Sequence, residues 1–251
     1  MQSVPTPAPQ QITRGTLQRG RLSYSQFQQG YRTGLEPVLM AAAVPARAGQ
    51  HVLEIGCGAG AGLLCLGHRV AGVKGTGVEK DPDTAALAGL NLRANAQPDM
   101  TVLTASFPED IAAGHKFDHC MANPPWHADK SSASPVPRRD LARRLGRDAL
   151  RLWVQGCAAI LQHKGTLTLA LPSALLDQAV TELTTGGFGG VTVYPFWPKT
   201  GREARIMLLQ ARFGVKSPAR ILPGLVLHEA DGAFTPPARA VLEDSAALPG
   251  L

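Results

Sequence analysis

The densest chemical information lies in Glu54-Ile-Gly-Cys-Gly-Ala-Gly60, where three glycines alternate directly behind the short apolar run His51-Val-Leu-Glu-Ile55. A Cβ at those positions would keep a ligand away from the backbone. Leu63, Leu64 and Leu66 follow at helical spacing, so free N–H groups at a helix start are expected beside the turn. The acid Glu79 ends the next apolar run, about 23 residues beyond Gly56, where a carboxylate can accept both hydroxyl hydrogens of a ribose. Strand, glycine turn, helix and acid together make a nucleoside site, and two cofactors compete for it. Gly56-x-Gly58-x-x-Ala61 satisfies the dinucleotide pattern. S-adenosylmethionine, a nucleoside with a sulfonium and an amino-acid tail, fits the same parts. Glu54 favours the second. An acid two residues before the first glycine can hold a cationic amino-acid end, whereas a phosphate gains nothing from it.

The second reactive segment is Asn123-Pro-Pro-Trp126, at the end of the apolar run Phe117–Ala122. Two prolines fix two φ angles and remove two N–H donors. Asn123 Oδ1 and the Pro124 carbonyl are left as stiffly held acceptors, which is what a planar –NH2 group requires. Trp126 offers a face for a flat ring, worth roughly 1–3 kcal/mol for a base. An exocyclic adenine amine is a poor nucleophile, because its lone pair is delocalised into the ring. Accepting both of its hydrogens localises electron density on nitrogen, and attack on a sulfonium methyl then needs positioning more than covalent catalysis.

The elements that must place these groups alternate. Glu36–Ala43 reads as a helix with Pro37 in its first turn and Pro45 beyond its end. Strands are expected at 51–55, 72–78, 100–103, 117–122 and 165–171. Helices are expected after the glycine turn, from a cap at Asp83 to about Asn95, over 138–162 and over 174–185. Val191–Tyr194 and Arg205–Arg212 could close the sheet as a pair. Strands alternating with helices imply an α/β fold, a mainly parallel sheet covered on both faces. One such domain is expected over residues 28–214. Residues 1–27 form an arm, disordered in its Pro- and Gln-rich first part, and 215–251 form a tail packed on the domain.

Composition narrows the classes. At 251 residues, 44% apolar and 18% charged, the chain can bury a sizeable core and is not a highly charged disordered one. A net charge of +6 mildly favours an anionic partner. The four cysteines, Cys57, Cys65, Cys120 and Cys157, form no CxxC pair and have no His cluster, so neither a zinc site nor a disulfide framework is expected. No basic n-region precedes an apolar core at the start, and no apolar run approaches a membrane span. A cytoplasmic protein that uses neither metal nor membrane is therefore expected.

Taken in order, Glu54-Ile-Gly-Cys-Gly-Ala-Gly60, Glu79 and Asn123-Pro-Pro-Trp126 resemble the amino-methyltransferases with an N-P-P-aromatic motif. The chain is similar to the methyltransferase small domain family, within it to the bacterial tRNA adenine-N6 methyltransferases acting on valine tRNA. Gln29-Gly-Tyr-Arg32 and Leu222-Pro-Gly-Leu-Val-Leu-His-Glu-Ala-Asp231 share the likeness. The resemblance implies a Rossmann-like S-adenosylmethionine-dependent methyltransferase with a mainly parallel, doubly wound sheet closed by an antiparallel strand. It implies Tyr31 and Arg32 at the cofactor's carboxylate end. Related enzymes carry an Asp after the third strand for the cofactor adenine. Here Leu103-Thr-Ala-Ser-Phe107 leaves that role to Ser106 or a backbone group, with Phe107 packing on the ring.

The segment 138–151 carries six arginines and two aspartates. Helical spacing puts Arg139, Arg143, Arg147 and Arg151 on one face, which can track phosphates or pair with Asp140 and Asp148. Lys199 and Arg202 begin a second basic run. DNA adenine methyltransferases commonly add a target-recognition domain. A base already exposed in structured RNA such as tRNA needs less machinery than one flipped from a duplex. The competing readings are methylation of a protein glutamine amide, a non-catalytic RNA-binding module, and a nicotinamide dehydrogenase, the last disfavoured by Glu54 and Asn123-Pro-Pro-Trp126.

Overall fold

The computed structural model describes residues 11–29, 32–114, 116–124 and 137–251, with side chains in the last segment from 149 onward. Where an arm is expected, the chain forms an antiparallel hairpin of β1 (Ile12–Leu17) and β2 (Leu22–Phe27). Its buried face comes from alternate residues, Leu22 and Tyr24, in an otherwise polar stretch. So few apolar positions gave no strand signal in the sequence. Residues 1–10, expected to be disordered, lie outside the described ones.

The expected alternation follows: α1 (Glu36–Ala43), β3 (His51–Ile55), α2 (Ala61–Arg69), β4 (Lys74–Glu79), α3 (Pro82–Ala94), β5 (Met100–Thr104) and β6 (Phe117–Ala122). Then come α4 (Pro137–Ile160), β7 (Leu161–Pro172), α5 (Leu176–Thr185), β8 (Phe188–Trp197) and β9 (Ile206–Phe213). The N-cap of α3 is Asp81, not Asp83: its carboxylate accepts the Thr84 N–H at 2.8 Å, and Pro82 occupies the first turn. In the tail, β10 (Arg220–Ile221) and β11 (Leu225–Val226) add to β8, and α6 (Pro236–Asp244) packs on α1.

The main sheet runs β5-β4-β3-β6-β7-β9-β8. Every pairing from β5 to β7 is parallel, while β9 is antiparallel to both β7 and β8. It follows that β8 points the same way as β7, and the turn after it opens on the same carboxyl edge. One face of the sheet is covered by α1, α2 and α3 through Leu39, Met40, Leu63, Leu64, Leu66 and Leu92. The other is covered by α4 and α5 through Leu150, Val154, Cys157, Ile160, Ala179 and Leu183. The central strands β3 and β6 are buried on both faces, which is why they read as continuous apolar runs. Among the described residues no helix is long and apolar enough to cross a membrane, and no three His, Cys, Asp or Glu side chains gather as a metal ion would need.

Asn91 ties the hairpin to this framework. It is buried in the middle of α3, and its side-chain amide donates to the Ser25 carbonyl (2.8 Å) and the Ala59 carbonyl (2.9 Å). Its Oδ1 accepts the Ser25 N–H at 2.9 Å. One side chain thus holds both the hairpin and the glycine turn. Asn91→Leu should leave those backbone groups unpaired and lower the unfolding free energy by roughly 2–4 kcal/mol in urea melts. A variant within about 0.5 kcal/mol of the parent contradicts that bridge.

Candidate active site

The register of the parallel strands sets the site. Ile55 lies opposite Val78 on one side and Ala122 on the other, and Glu79 lies opposite Thr104. The residues just past these tips therefore share one edge in the order Ser106-Phe107, Glu79, Gly56, Asn123. At the usual strand spacing this row is roughly 14 Å long. Ligands of such sheets bind outside the carboxyl ends.

The glycine turn is built from residues that only glycine suits. Gly56, Gly58 and Gly60 have φ of +65°, +53° and +85°. A Cβ on Gly58 would meet nothing within 4 Å, so this stretch of backbone is bare toward open space. A Cβ on Gly60 would touch Ala88 at 3.4 Å, so the turn lies close against α3. Gly60 also caps α2 in the left-handed conformation, leaving the first-turn amides beside the turn. The Gly58 N–H donates to Glu79 Oε2 at 3.1 Å, and the Asp81 N–H donates to Glu79 Oε1 at 3.0 Å. Both bonds hold the Glu79 carboxylate over the turn, where a ribose would need it. Bare backbone and a fixed acid suit a nucleoside cofactor.

Glu54 is placed differently from the expectation. It is 3% exposed, and its carboxyl group faces into the first turn of α2, where Oε2 accepts the Leu63 N–H at 2.9 Å. A Cβ on Gly62 would collide with it. It therefore lies beneath the turn. Burial pushes its carboxyl up to about 8, outweighing the lowering by the Leu63 amide. Cys57 is equally enclosed. Burial first, then the nearby Glu54 and Glu79, hold its thiol well above the ordinary value, so it offers no nucleophile.

Asn123 is half-buried and Pro124 buried at the tip of β6, next to the glycine turn across the ladder. Trp126 and Tyr31 lie outside the described residues, while Arg32 is exposed. The Ser106 N–H donates to Asp110 Oδ2 at 2.8 Å. An acid four residues later thus comes back to the position where the sequence shows none. Phe107 meets Trp153 edge-on, with ring centroids 6.3 Å apart. Neither Asp110 nor Trp153 was legible as a site residue. Asp110 sits in an unpatterned loop, and Trp153 falls in the 138–162 stretch, which reads only as a helix with a basic start. Arg139, Arg143 and Arg147 share α4 with the exposed Arg151 at four-residue spacing, but the side chains of the first three are not among those described. Lys199 and Arg202 occupy the turn after β8, hence the same edge as Asn123. Lys199 Nζ donates to the Ala230 carbonyl at 2.8 Å, and Arg202 is exposed.

The strand order, with an antiparallel strand inserted next to the far edge, is that of a Rossmann-like methyltransferase. Solved structures agree on the fold. A protein of Agrobacterium tumefaciens described as a predicted O-methyltransferase aligns with TM-score 0.70 and 22% identity, over 84% of this chain and 97% of its own. The 16S rRNA N2 G1207 methyltransferase of T. thermophilus, solved with AdoMet and guanosine, aligns with TM-score 0.57 and 20% identity, over 85% of this chain and 53% of its own. Residues 36–169 match the methyltransferase small domain, and the chain belongs to that family. It is an S-adenosylmethionine-dependent methyltransferase. A curated relative from Aeromonas hydrophila, tRNA1(Val) (adenine(37)-N6)-methyltransferase, is 26% identical over 81% of this chain and 85% of its own. The same enzyme of Actinobacillus succinogenes is 30% identical over 57% of this chain and 61% of its own. Ribosomal RNA large subunit methyltransferase F of Stutzerimonas stutzeri is 30% identical over 50% and 45%.

Two predictions follow from these placements. Gly58→Ala puts a methyl into the open space over the turn and should weaken S-adenosylhomocysteine binding by roughly tenfold or more in calorimetry, with a stability loss of only about 1 kcal/mol. An unchanged affinity would mean that the ligand does not approach there.

The second concerns pH. Between its ordinary 4.5 and about 8, folded Glu54 keeps a proton that the unfolded chain has released. Its contribution to stability is therefore full below 4.5 and lost as pH rises through 8. Buried His119, bonded through Nδ1 to Thr166 Oγ1, has the opposite effect in a lower window. Burial holds it down at about 4 from 6.5, so stability rises across that interval. The parent should lose roughly 2 kcal/mol from pH 6.5 to 8, and Glu54→Gln should lose none of it in denaturant titrations. Parallel pH curves for the two proteins would rule this out.

Proposed function

We propose that this methyltransferase acts on the exocyclic N6 amine of an adenine in structured RNA, a tRNA. The observation that carries the reading is Asn123 at the tip of β6, one strand from the glycine turn and held by buried Pro124. The tRNA and rRNA methyltransferases among the relatives support an RNA substrate. Bound S-adenosylmethionine supplies an electrophilic methyl on a sulfonium. Glu79 takes the ribose hydroxyls, the glycine backbone at 56, 58 and 60 carries the tail, and Ser106 and Phe107 flank the adenine. Tyr31 and Arg32 cover the carboxylate end. Glu54, lying under the turn, shapes the start of α2 and does not touch the cofactor's charge.

For the substrate, Asn123 Oδ1 and the Pro124 carbonyl accept the two amine hydrogens, and Trp126 stacks on the base. This arrangement raises the nucleophilicity of nitrogen and orients its lone pair without a covalent intermediate. The proton leaves to solvent after transfer, because the N-methylated amine becomes acidic only once its lone pair is used. Arg139, Arg143, Arg147, Lys199 and Arg202 are the cations proposed to contact the RNA phosphates. The catalytic unit is residues 28–214, and the enzyme works in the cytoplasm with its RNA.

The test is incubation of the purified protein with labelled cofactor and either total tRNA or a protein extract, followed by nucleoside and amino-acid analysis. N6-methyladenosine in the tRNA is expected. Label in glutamine instead would transfer the same acceptor pair to a protein amide, and no label in either would leave an RNA-binding module. Asn123→Ala should lower turnover by roughly 100-fold or more while cofactor affinity stays within about threefold. Unchanged turnover would remove Asn123 from the chemistry.

A further inference from the structure

We propose that Trp153 is a cofactor-binding residue whose indole forms the floor under the adenosine half of S-adenosylmethionine, between Gly56 and Phe107. The order of the strand tips sets the direction of the ligand. The methyl has to reach Asn123 on β6, and the ribose has to reach Glu79 on β4. The base therefore continues away from β6, past Glu79 and over the 105–107 segment that follows β5.

Trp153 spans that distance from below. It stands on α4, the helix over the sheet face opposite α2 and α3. Its Cη2 lies 3.6 Å from where a Cβ on Gly56 would be, so the ring tip is in contact range of the turn. The same ring meets Phe107 at 89°, near perpendicular. The indole thus joins the tip of β3 to the segment after β5 and remains partly exposed.

Its position is held by a second glycine. Gly156 lies on α4 close to one turn further along, and a Cβ there would come within 2.7 Å of Pro108 Cβ and 2.8 Å of Phe107 Cζ. Only glycine lets α4 approach the 107–108 segment this closely, and that approach brings Trp153 under the row of tips. A partly exposed indole beside the turn can offer a purine a stacking surface.

The inference rests on the placing of the base beside Ser106 and Phe107 in the reading above, and the test separates the two. The chain has three tryptophans, so Trp126→Phe with Trp197→Phe leaves Trp153 as the sole indole emitter. Its fluorescence should be saturably quenched by S-adenosylhomocysteine and by 5′-methylthioadenosine, and not by methionine. In the otherwise unaltered chain, Trp153→Ala should weaken S-adenosylhomocysteine binding roughly 5–50-fold by calorimetry, and Trp153→Phe should stay within about threefold. A Trp153 signal indifferent to ligand that calorimetry shows to be bound overturns the proposal. So does a Trp153→Ala protein that melts cooperatively and binds with unchanged affinity. Phe107→Ala decides which idea fails. If it weakens binding while Trp153→Ala does not, only the floor is wrong; if neither does, the base lies elsewhere.

Discussion

The parallel ladder between β3 and its two neighbours is the constraint on which the rest depends. Because Ile55 pairs with both Val78 and Ala122, three loops from distant parts of the chain emerge at one level. A slip of one residue would turn every side chain to the opposite face, and both faces are buried, so the register is strongly specified. Loop chemistry can then be simple. A glycine turn, an acid and an amide need no further device to meet, and the Gly58–Glu79 hydrogen bond locks two of them together.

The buried polar groups divide the work between stability and site. Glu54 and Asn91 both sit under or behind the glycine turn and both bond backbone groups of adjoining segments. Each costs desolvation and returns a fixed geometry. They act as supports, so the turn itself can stay bare toward the ligand. Glu54 alternates with Leu53 and Ile55, which face α4 and α5, and so turns to the α2 side of β3.

The hairpin and the tail extend this framework at its two chain ends. Arg19 and Arg21 of the hairpin bond Glu243 and Asp244 at the end of α6, across an exposed surface where such pairs add little energy. Their effect is to join arm and tail beside α1. The basic turn after β8 is fixed more firmly, by the Ser173 N–H and Oγ donating to the Arg205 and Ala204 carbonyls. Lys199 and Arg202 are thereby held at the edge that carries Asn123.

Much of this was legible from residues alone. The strands at 51–55 and 117–122 and the helix at 36–43 are visible as apolar runs with glycine or proline at their ends, and the structure returns the same bounds. Local patterning sufficed because these strands are buried on both faces, and because glycine and proline restrict φ wherever they stand. The hairpin was not visible, since only Leu22 and Tyr24 turn inward and their burial depends on α3. The sequence by itself determined the parallel α/β class, the glycine turn, and the acid and amide at successive strand tips. Only the tertiary structure decided where Glu54 points, that Asp110 returns to Ser106, and that Trp153 lies under Gly56. Those three depend on contacts between segments far apart in the chain or on the path of an irregular loop, and neither leaves a periodic trace.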